Sequence, residues 1–236
     1  MHRFGYASAL VGRYPQLVAG VLFVSGLRNS QTPPELDALL KAEESRVSSA
    51  YRTDMLSTLP SVAAWRAAYS AFGAKPSQYR SAVEALLRRA AQAGALPRLN
   101  ALVDICNCVS LRVELPVAAF DLDQLQGDVT VGFATGAEKY VGLGETQTEP
   151  PYEGEVIYTD AAGVAHSRRW NWRQSAVSGV SEATTRALVT TEAMHAEGRA
   201  AVESAVRDLA ELVSRFCGGA VQTFVLDAGH PATGEA

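Results

Sequence analysis

The sequence predicts an α+β fold, and three observations lead there. Residues 32–94 carry helical periodicity with start and stop signals. Residues 99–173 break into short β-branched or aromatic runs separated by Gly, Pro and Asp. The chain then closes on an amphipathic helix and a final strand. Helices first, strands next, then a helix and a strand are the order of an α+β domain, in which helices gather on one side of a largely antiparallel sheet. A chain of 236 residues suits one large domain or two small ones. With no internal repeat and no low-complexity linker, one integrated domain over 1–236 is expected. In it, 61–226 form the core, 1–60 add an N-terminal layer and 227–236 form a loose tail.

Each element has its own signals. Val18 to Leu27 reads as a buried strand ended by Gly26 and the Asn29-Ser30 turn. Thr32-Pro33-Pro34-Glu35 opens a helix to about Ser49. Thr32 can cap it, proline suits its first position, and Leu36, Leu39, Leu40 and Val47 share a face. Ser61 to Phe72 is a second helix, with Val62, Trp65, Ala68 and Tyr69 on one side and Gly73 as its stop. Lys75-Pro76-Ser77 opens a third, in which Ala82, Val83, Leu86, Leu87 and Ala90 keep helical spacing up to Gly94. Residues 99–113, 129–133, 139–143, 154–159 and 164–173 read as strands, and from Thr184 the chain turns helical or mixed. Arg199 to Phe216 is the clearest helix, with a stripe from Val202 to Phe216 and a stop at Gly218-Gly219. Ala220 to Leu226 is the last strand.

Composition narrows the function classes. No apolar stretch approaches the roughly 20 residues that span a bilayer, and Ala7 to Val11 is too short an apolar run for a signal peptide. A cytoplasmic location without membrane partners follows. A formal net charge of −4 argues against a strong, non-specific grip on nucleic acid by the whole surface, DNA included. Basic residues nevertheless cluster locally. Lys75, Arg80, Arg88, Arg89 and Arg98 surround the single acid Glu84, and Arg168, Arg169 and Arg173 form a second group. Cys106 and Cys108 would share a face on a strand, but a C-x-C pair alone is a weak metal signal. Small buried hydrophobes in a reducing compartment explain them better. No metal or cofactor is expected, for no Walker loop, G-x-S-x-G elbow or G-x-G-x-x-G is present.

The most informative stretch is 103–125. An apolar run carries Asp104 and Asn107, Leu115-Pro116 breaks it, and Phe120-Asp121-Leu122-Asp123 follows. Polar groups inside an apolar run need partners or a ligand, since an unpaired buried amide costs roughly 1–3 kcal/mol. Asn107 is therefore either a site residue or a bridging residue satisfied by backbone. Three carboxylates, Asp104, Asp121 and Asp123, can in principle hold a metal or exchange protons. A turn in which they bond neighbouring backbone fits Asp121 and Asp123 better, because Gly127 follows. Glu155 stands just ahead of a strand and either faces a pocket or decorates an edge. Trp170-Asn171-Trp172-Arg173-Gln174 either stacks a base and binds a carboxylate, or supplies core indoles with arginines turned to solvent.

The order V-D-x-x-N at 103–107, then Pro116 and Ala119-Phe120-Asp121, resembles the B3/B4 domain of the bacterial phenylalanyl-tRNA synthetase β subunit. The wider pattern is similar to stand-alone B3/B4 proteins, and the likeness runs from about Trp65 to Glu192. It implies a β-sandwich-like core flanked by helices. It also implies an editing function, the hydrolysis of wrongly charged tRNA. By the resemblance Asn107 positions the aminoacyl end, and Ser178 and Thr184, in the S-x-V-x-x-x-T segment, line the same pocket. Two positions depart from the family. Cys106 stands where threonine is common, and Ala118 stands where the motif P-x-H-A-F-D has histidine. A methyl group can neither bind an ester nor carry a proton.

Three functional readings follow. In the first, the chain is a trans-acting deacylase: Asn107 and Glu155 serve catalysis, Cys106, Ala118, Arg173, Gln174, Ser178 and Thr184 bind substrate, and Lys75, Arg80, Arg88, Arg89, Arg168 and Arg169 hold the acylated 3′ end of tRNA by its phosphates. In the second, favoured by Ala118, the chain is a non-catalytic module for tRNA or an amino-acid-like ligand. In the third, a small-molecule enzyme reuses the scaffold.

Overall fold

The computed structural model describes residues 2–235. Phe4–Tyr6 (β1), Ser8–Arg13 (α1) and Val18–Ser25 (β2) open the chain. Four helices follow: Pro34–Ala50 (α2), Pro60–Ala71 (α3), Ala82–Ala93 (α4) and Ala101–Val113 (α5). Then come Val117–Asp121 (β3), Val129–Phe133 (β4), Val156–Thr159 (β5), Ala165–Arg168 (β6), Arg173–Gln174 (β7) and Arg186–Ala193 (β8). Gly198–Phe216 (α6) and Ala220–Leu226 (β9) complete the order. This is the α+β class that the sequence predicts.

The strands form two sheets, β1-β4-β5-β6-β7 and β3-β8-β2-β9. Only β1 and β4 run parallel; the other pairs are antiparallel. The sheets meet through aromatic rings: Phe120 of β3 stacks on Tyr158 of β5 at 5.5 Å between centroids, and Phe4 of β1 lies 5.7 Å from the same ring. β2 shows how the layers are assigned. Its Ala19, Val21 and Phe23 enter the core between the sheets, while Leu22 and Val24 enter a second core under α5 and α6. The two-residue period of a strand sends alternate side chains to opposite faces.

α6 lies close on the sheet because Gly20 makes room. A Cβ there would sit 2.8 Å from Thr191 Cγ2 and 3.2 Å from Val202 Cγ1, and nearer still to Val206.

Several expectations are corrected. Residues 99–113 form α5, not a strand. Asn100 caps it, its Oδ1 accepting from Val103 N at 3.1 Å. Leu102, Ile105, Cys106 and Val109 then fall on one buried face, so the three-and-four spacing outweighs the β-branched composition. Thr32 does not cap α2; it donates to Asp104 Oδ2, and Pro33 holds the cap position. α4 begins at Ala82 rather than near Ser77, because Ser81 supplies the cap and Ala82 N is held by the Asn171 carbonyl at 3.0 Å. Residues 139–143 make only isolated bridges, at Lys139 and Gly142. Residues 164–173 are two strands around a turn. Thr184 does not start a helical region but leads into β8, which lies between β3 and β2.

Residues 1–60 are likewise no added layer, since β2 is an inner strand of one sheet and β1 an edge of the other. Nor is 227–235 loose: Tyr6 N donates to the Pro231 carbonyl at 2.9 Å and Thr233 N to the Phe4 carbonyl at 2.8 Å, and Thr233 is buried.

Gly20→Ala is expected to lower stability by about 1–3 kcal/mol through overpacking against α6. Urea denaturation of the two proteins checks this, with an unchanged midpoint as the contrary result.

Candidate functional site

A cavity of about 210 Å³ opens between α5, β3, the turn joining β6 to β7, and β8. α5 contributes Cys106 and Asn107, β3 contributes Ala118, and β7 contributes Gln174. Four of the residues singled out from the sequence therefore share one cavity. Asn107 is half-buried, because the helical spacing that buries Cys106 turns the next residue toward the opening. Ala118 pairs in register with Thr190 of β8, which also lines the wall.

The polar floor of the cavity comes from Glu192. This carboxylate is 2% exposed and accepts from Tyr6 Oη at 2.8 Å, Trp170 Nε1 at 2.8 Å and Asn171 Nδ2 at 3.3 Å. Burial pushes its pKa up, and the donors of Trp170, Tyr6, Tyr158 and Asn171 oppose that shift. The turn that delivers two of these donors is bent sharply. Arg169 and Trp170 both take positive φ, 44° and 64°, a region that bulky side chains occupy only when their surroundings demand it. Here the demand is visible. The Trp170 ring packs edge-on against Tyr14 and Trp65, each at 5.1 Å, while its N–H is fixed by Glu192. Trp170 is thus core, and Trp172, half-buried, forms the cavity wall.

Other residues expected at the site lie elsewhere. Glu155 is buried and fully engaged: it accepts from Arg168 Nε at 3.0 Å, Arg168 Nη2 at 2.9 Å and Arg169 N at 2.8 Å. It stands outside the cavity as the anchor of the turn. Arg168 is 1% exposed and also pairs with Glu149 at 3.1 Å, so its guanidinium edge is taken and cannot clasp an RNA phosphate. Arg173 is exposed, pairs with Glu145 at 3.4 Å and lies over the Trp172 ring. Thr184 donates to Asp121 Oδ2 at 2.6 Å, and Asp121 Oδ1 accepts from Asp123 N at 3.0 Å; these carboxylates shape a turn. Asp104 is buried and bonds Thr32. Cys106 and Cys108 enter different cores, so they share no face. Burial pushes the Cys106 thiol well up, which leaves it protonated.

Ser178 stands one layer behind the cavity. Its carbonyl accepts from Gln174 Nε2 at 3.2 Å, and the same amide donates to the Ala119 carbonyl at 2.7 Å. Its hydroxyl lies 3.0 Å from His166 Nδ1, and His166 Nε2 lies 3.1 Å from Asp160 Oδ2, off the line of a hydrogen bond. The residue types are those of a nucleophile relay, but all three side chains are buried away from the cavity. The array braces the Gln174 wall. Burial pushes the His166 pKa down, against the pull of Asp160. Burial pushes the Asp160 carboxyl up, but the N–H groups of Gln126 and Val164 outweigh it and hold it below its ordinary value.

Two further depressions flank the cavity. One, of about 300 Å³, is lined by Arg80, Arg88, Arg89 and Gln78 and shares Trp172 with the main cavity. Glu84, fully buried, lies 3.0 Å from Arg66, 3.5 Å from Arg88 and 3.8 Å from Arg80, while Arg89 is exposed. The other, of about 340 Å³, holds Lys75 and Arg169.

Sequence reasoning did not single out Glu192 or Thr190, and gave Asn171 no role of its own within the 170–174 stretch. The available signal was the V-T-T-E run, where alternation puts Thr190 and Glu192 on one strand face; reading the segment as helical or mixed hid it.

A family model described as "B3/4 domain" matches residues 64–218. A phenylalanine–tRNA ligase beta subunit from Photorhabdus laumondii is 30% identical over 110 residues, which are 47% of this chain and 14% of that protein. An N-terminal fragment of the phenylalanyl-tRNA synthetase β-subunit from Pyrococcus horikoshii overlays with a TM-score of 0.49 at 12% identity, covering 93% of this chain and 50% of that one. The chain thus spans about one seventh of the curated relative and half of the solved fragment. Among the described residues, no helix is long and apolar enough to cross a membrane.

The His166 array sets a pH dependence. The folded state resists protonation of His166, whereas the unfolded chain binds that proton from about pH 6.5 downward. The unfolded state then holds more protons, so stability falls as pH drops below about 6.5, by at most about 1.4 kcal/mol per pH unit from this group. Denaturation midpoints across that range check it. His166→Gln is expected to flatten the slope, and an unchanged slope would contradict the assignment.

Proposed function

The chain belongs to the B3/4 domain family, and from that membership we propose that it acts on tRNA, hydrolysing the ester of a wrongly charged aminoacyl-tRNA in trans. One observation carries the reading: Asn107, Ala118 and Gln174 converge on a single cavity floored by the Glu192 carboxylate, and this cavity shares Trp172 with an arginine-lined depression. The cavity suits an aminoacyl group. Glu192, held as an acceptor by three donors, attracts its α-ammonium or a side-chain hydroxyl. A site that bonds a hydroxyl discriminates strongly against the analogue that lacks it. Beside Trp172, whose ring already carries Arg169 and Arg173, Arg80, Arg88 and Arg89 offer phosphate contacts.

Water attacks the ester carbonyl, the tetrahedral intermediate collapses, and the ribose oxygen leaves with a proton to give free tRNA and the amino acid. Asn107 orients the acyl group by hydrogen bonds. With alanine at 118, the neighbouring ribose hydroxyl of the substrate takes up the positioning of water. The three cysteines are free and buried, which supports a reducing compartment and hence the cytoplasm.

A second reading, in which the domain binds tRNA or an amino-acid-like ligand without turnover, is favoured by Ala118 alone. A panel of mischarged tRNAs separates the two. We expect hydrolysis of at least one member, with kcat/KM lowered about tenfold or more by Asn107→Ala. Arg88→Ala with Arg89→Ala should weaken RNA binding and reduce its salt dependence. Binding without release of amino acid from any member selects the non-catalytic reading.

A further inference from the structure

Arg169 is 7% exposed, yet among the described residues its guanidinium has no carboxylate and no hydrogen-bond acceptor. Its neighbour Arg168 shows what a satisfied buried arginine looks like here, clasped by Glu155 and Glu149. The Arg169 guanidinium instead lies against aromatic rings. It lies 3.9 Å from the Tyr79 centroid and 4.6 Å from that of Trp172, and these two rings meet edge-on at 5.0 Å. The two rings occupy neighbouring sides of the planar cation, and its N–H fork, the group that takes two oxygens of one anion, has no protein acceptor among the described residues.

The residue lines the cleft of about 340 Å³ between the C-terminal end of α3, the 74–79 turn and the 152–155 loop. Lys75 is in the same cleft, exposed and without an ion pair among the described residues, and Gln78 adds amide donors. Of the two acids there, Glu155 is neutralised by Arg168, and Glu153 is exposed to water. The N–H groups of Arg169 face the cleft without a protein acceptor among the described residues, and an anion there supplies both the acceptor and the counter-charge.

We propose that Arg169 and Lys75 form an oxyanion subsite that binds a phosphate group, separate from the Asn107 cavity. Two convergent cations favour a phosphate over a singly charged carboxylate, and the stacked guanidinium fixes its orientation. The phosphate comes either from an RNA backbone or from a free phosphate ester. The proposal does not depend on what occupies the Asn107 cavity.

Inorganic phosphate is the probe. Titrated into the full chain at constant ionic strength against a chloride control, it should raise the thermal midpoint in a saturable way, as a ligand of the folded state does. Lys75→Ala, an exposed substitution, should weaken the apparent affinity by about two- to fivefold, and Arg169→Met should abolish the response. If Arg169→Met does not fold, Arg169→Lys, which keeps charge but loses the fork, should reduce affinity while Lys75→Ala carries the comparison. A single-stranded RNA oligonucleotide that displaces phosphate identifies the backbone as the source; phosphate binding that RNA leaves undisturbed identifies a free ester. The absence of a saturable phosphate response in the folded wild-type chain overturns the proposal. So does a response equal in wild type and both variants.

Discussion

The buried carboxylate of Glu192 is the interaction on which the rest depends. It sits on β8 and receives donors from β1 and from the turn between β6 and β7, so it ties one sheet to the other at the place where the cavity opens. A carboxyl group withdrawn from water this far is tolerable only when its partners are fixed, and each partner is fixed for its own reason. Tyr6 is clamped in a strand, Trp170 is wedged among aromatic rings, and Asn171 Oδ1 accepts from Tyr69 Oη at 2.9 Å. Sheet packing, turn geometry and cavity polarity thus form one arrangement.

The same logic sorts the arginines. Arg168 and Arg169 are adjacent and both buried, but the turn sends the first into carboxylates and the second into aromatic rings. The positive φ values at 169 and 170 make that separation. Along a continuous strand, successive side chains would simply alternate between faces. Charge counted along the sequence treats these residues as one basic cluster, whereas the folded chain gives them unlike surroundings.

Much of the architecture is legible in the residues. The helix stripes of α3, α4 and α6, the stop at Gly94 and the closing strand follow from spacing and capping. Of the polar pair in the 103–107 run, Asn107 lines the cavity and Asp104 bonds Thr32. What misled was composition where two periods compete. Val103, Ile105, Val109 and Val113 look like strand residues, but the cap at Asn100 and the face made by Leu102, Ile105, Cys106 and Val109 specify a helix. The role of Glu155 was not legible at all. Its partners lie thirteen and fourteen residues away across a strained turn, and no local pattern announces such a turn. Likewise β8 hid Glu192, because a segment read as helical or mixed conceals the face that Thr190 and Glu192 share on a strand.

Glu84 has a consequence beyond its own neighbourhood. As a fully buried acid at the first turn of α4, it gathers Arg66, Arg80 and Arg88 around one fixed point. Long flexible side chains ordinarily lose conformational freedom when they grip a polyanion, and that loss subtracts from affinity. Here part of the ordering is accomplished when the chain folds, so under the proposed function this patch would meet an anion already arranged. A surface whose total charge is negative can in this way offer a small, preorganised positive face.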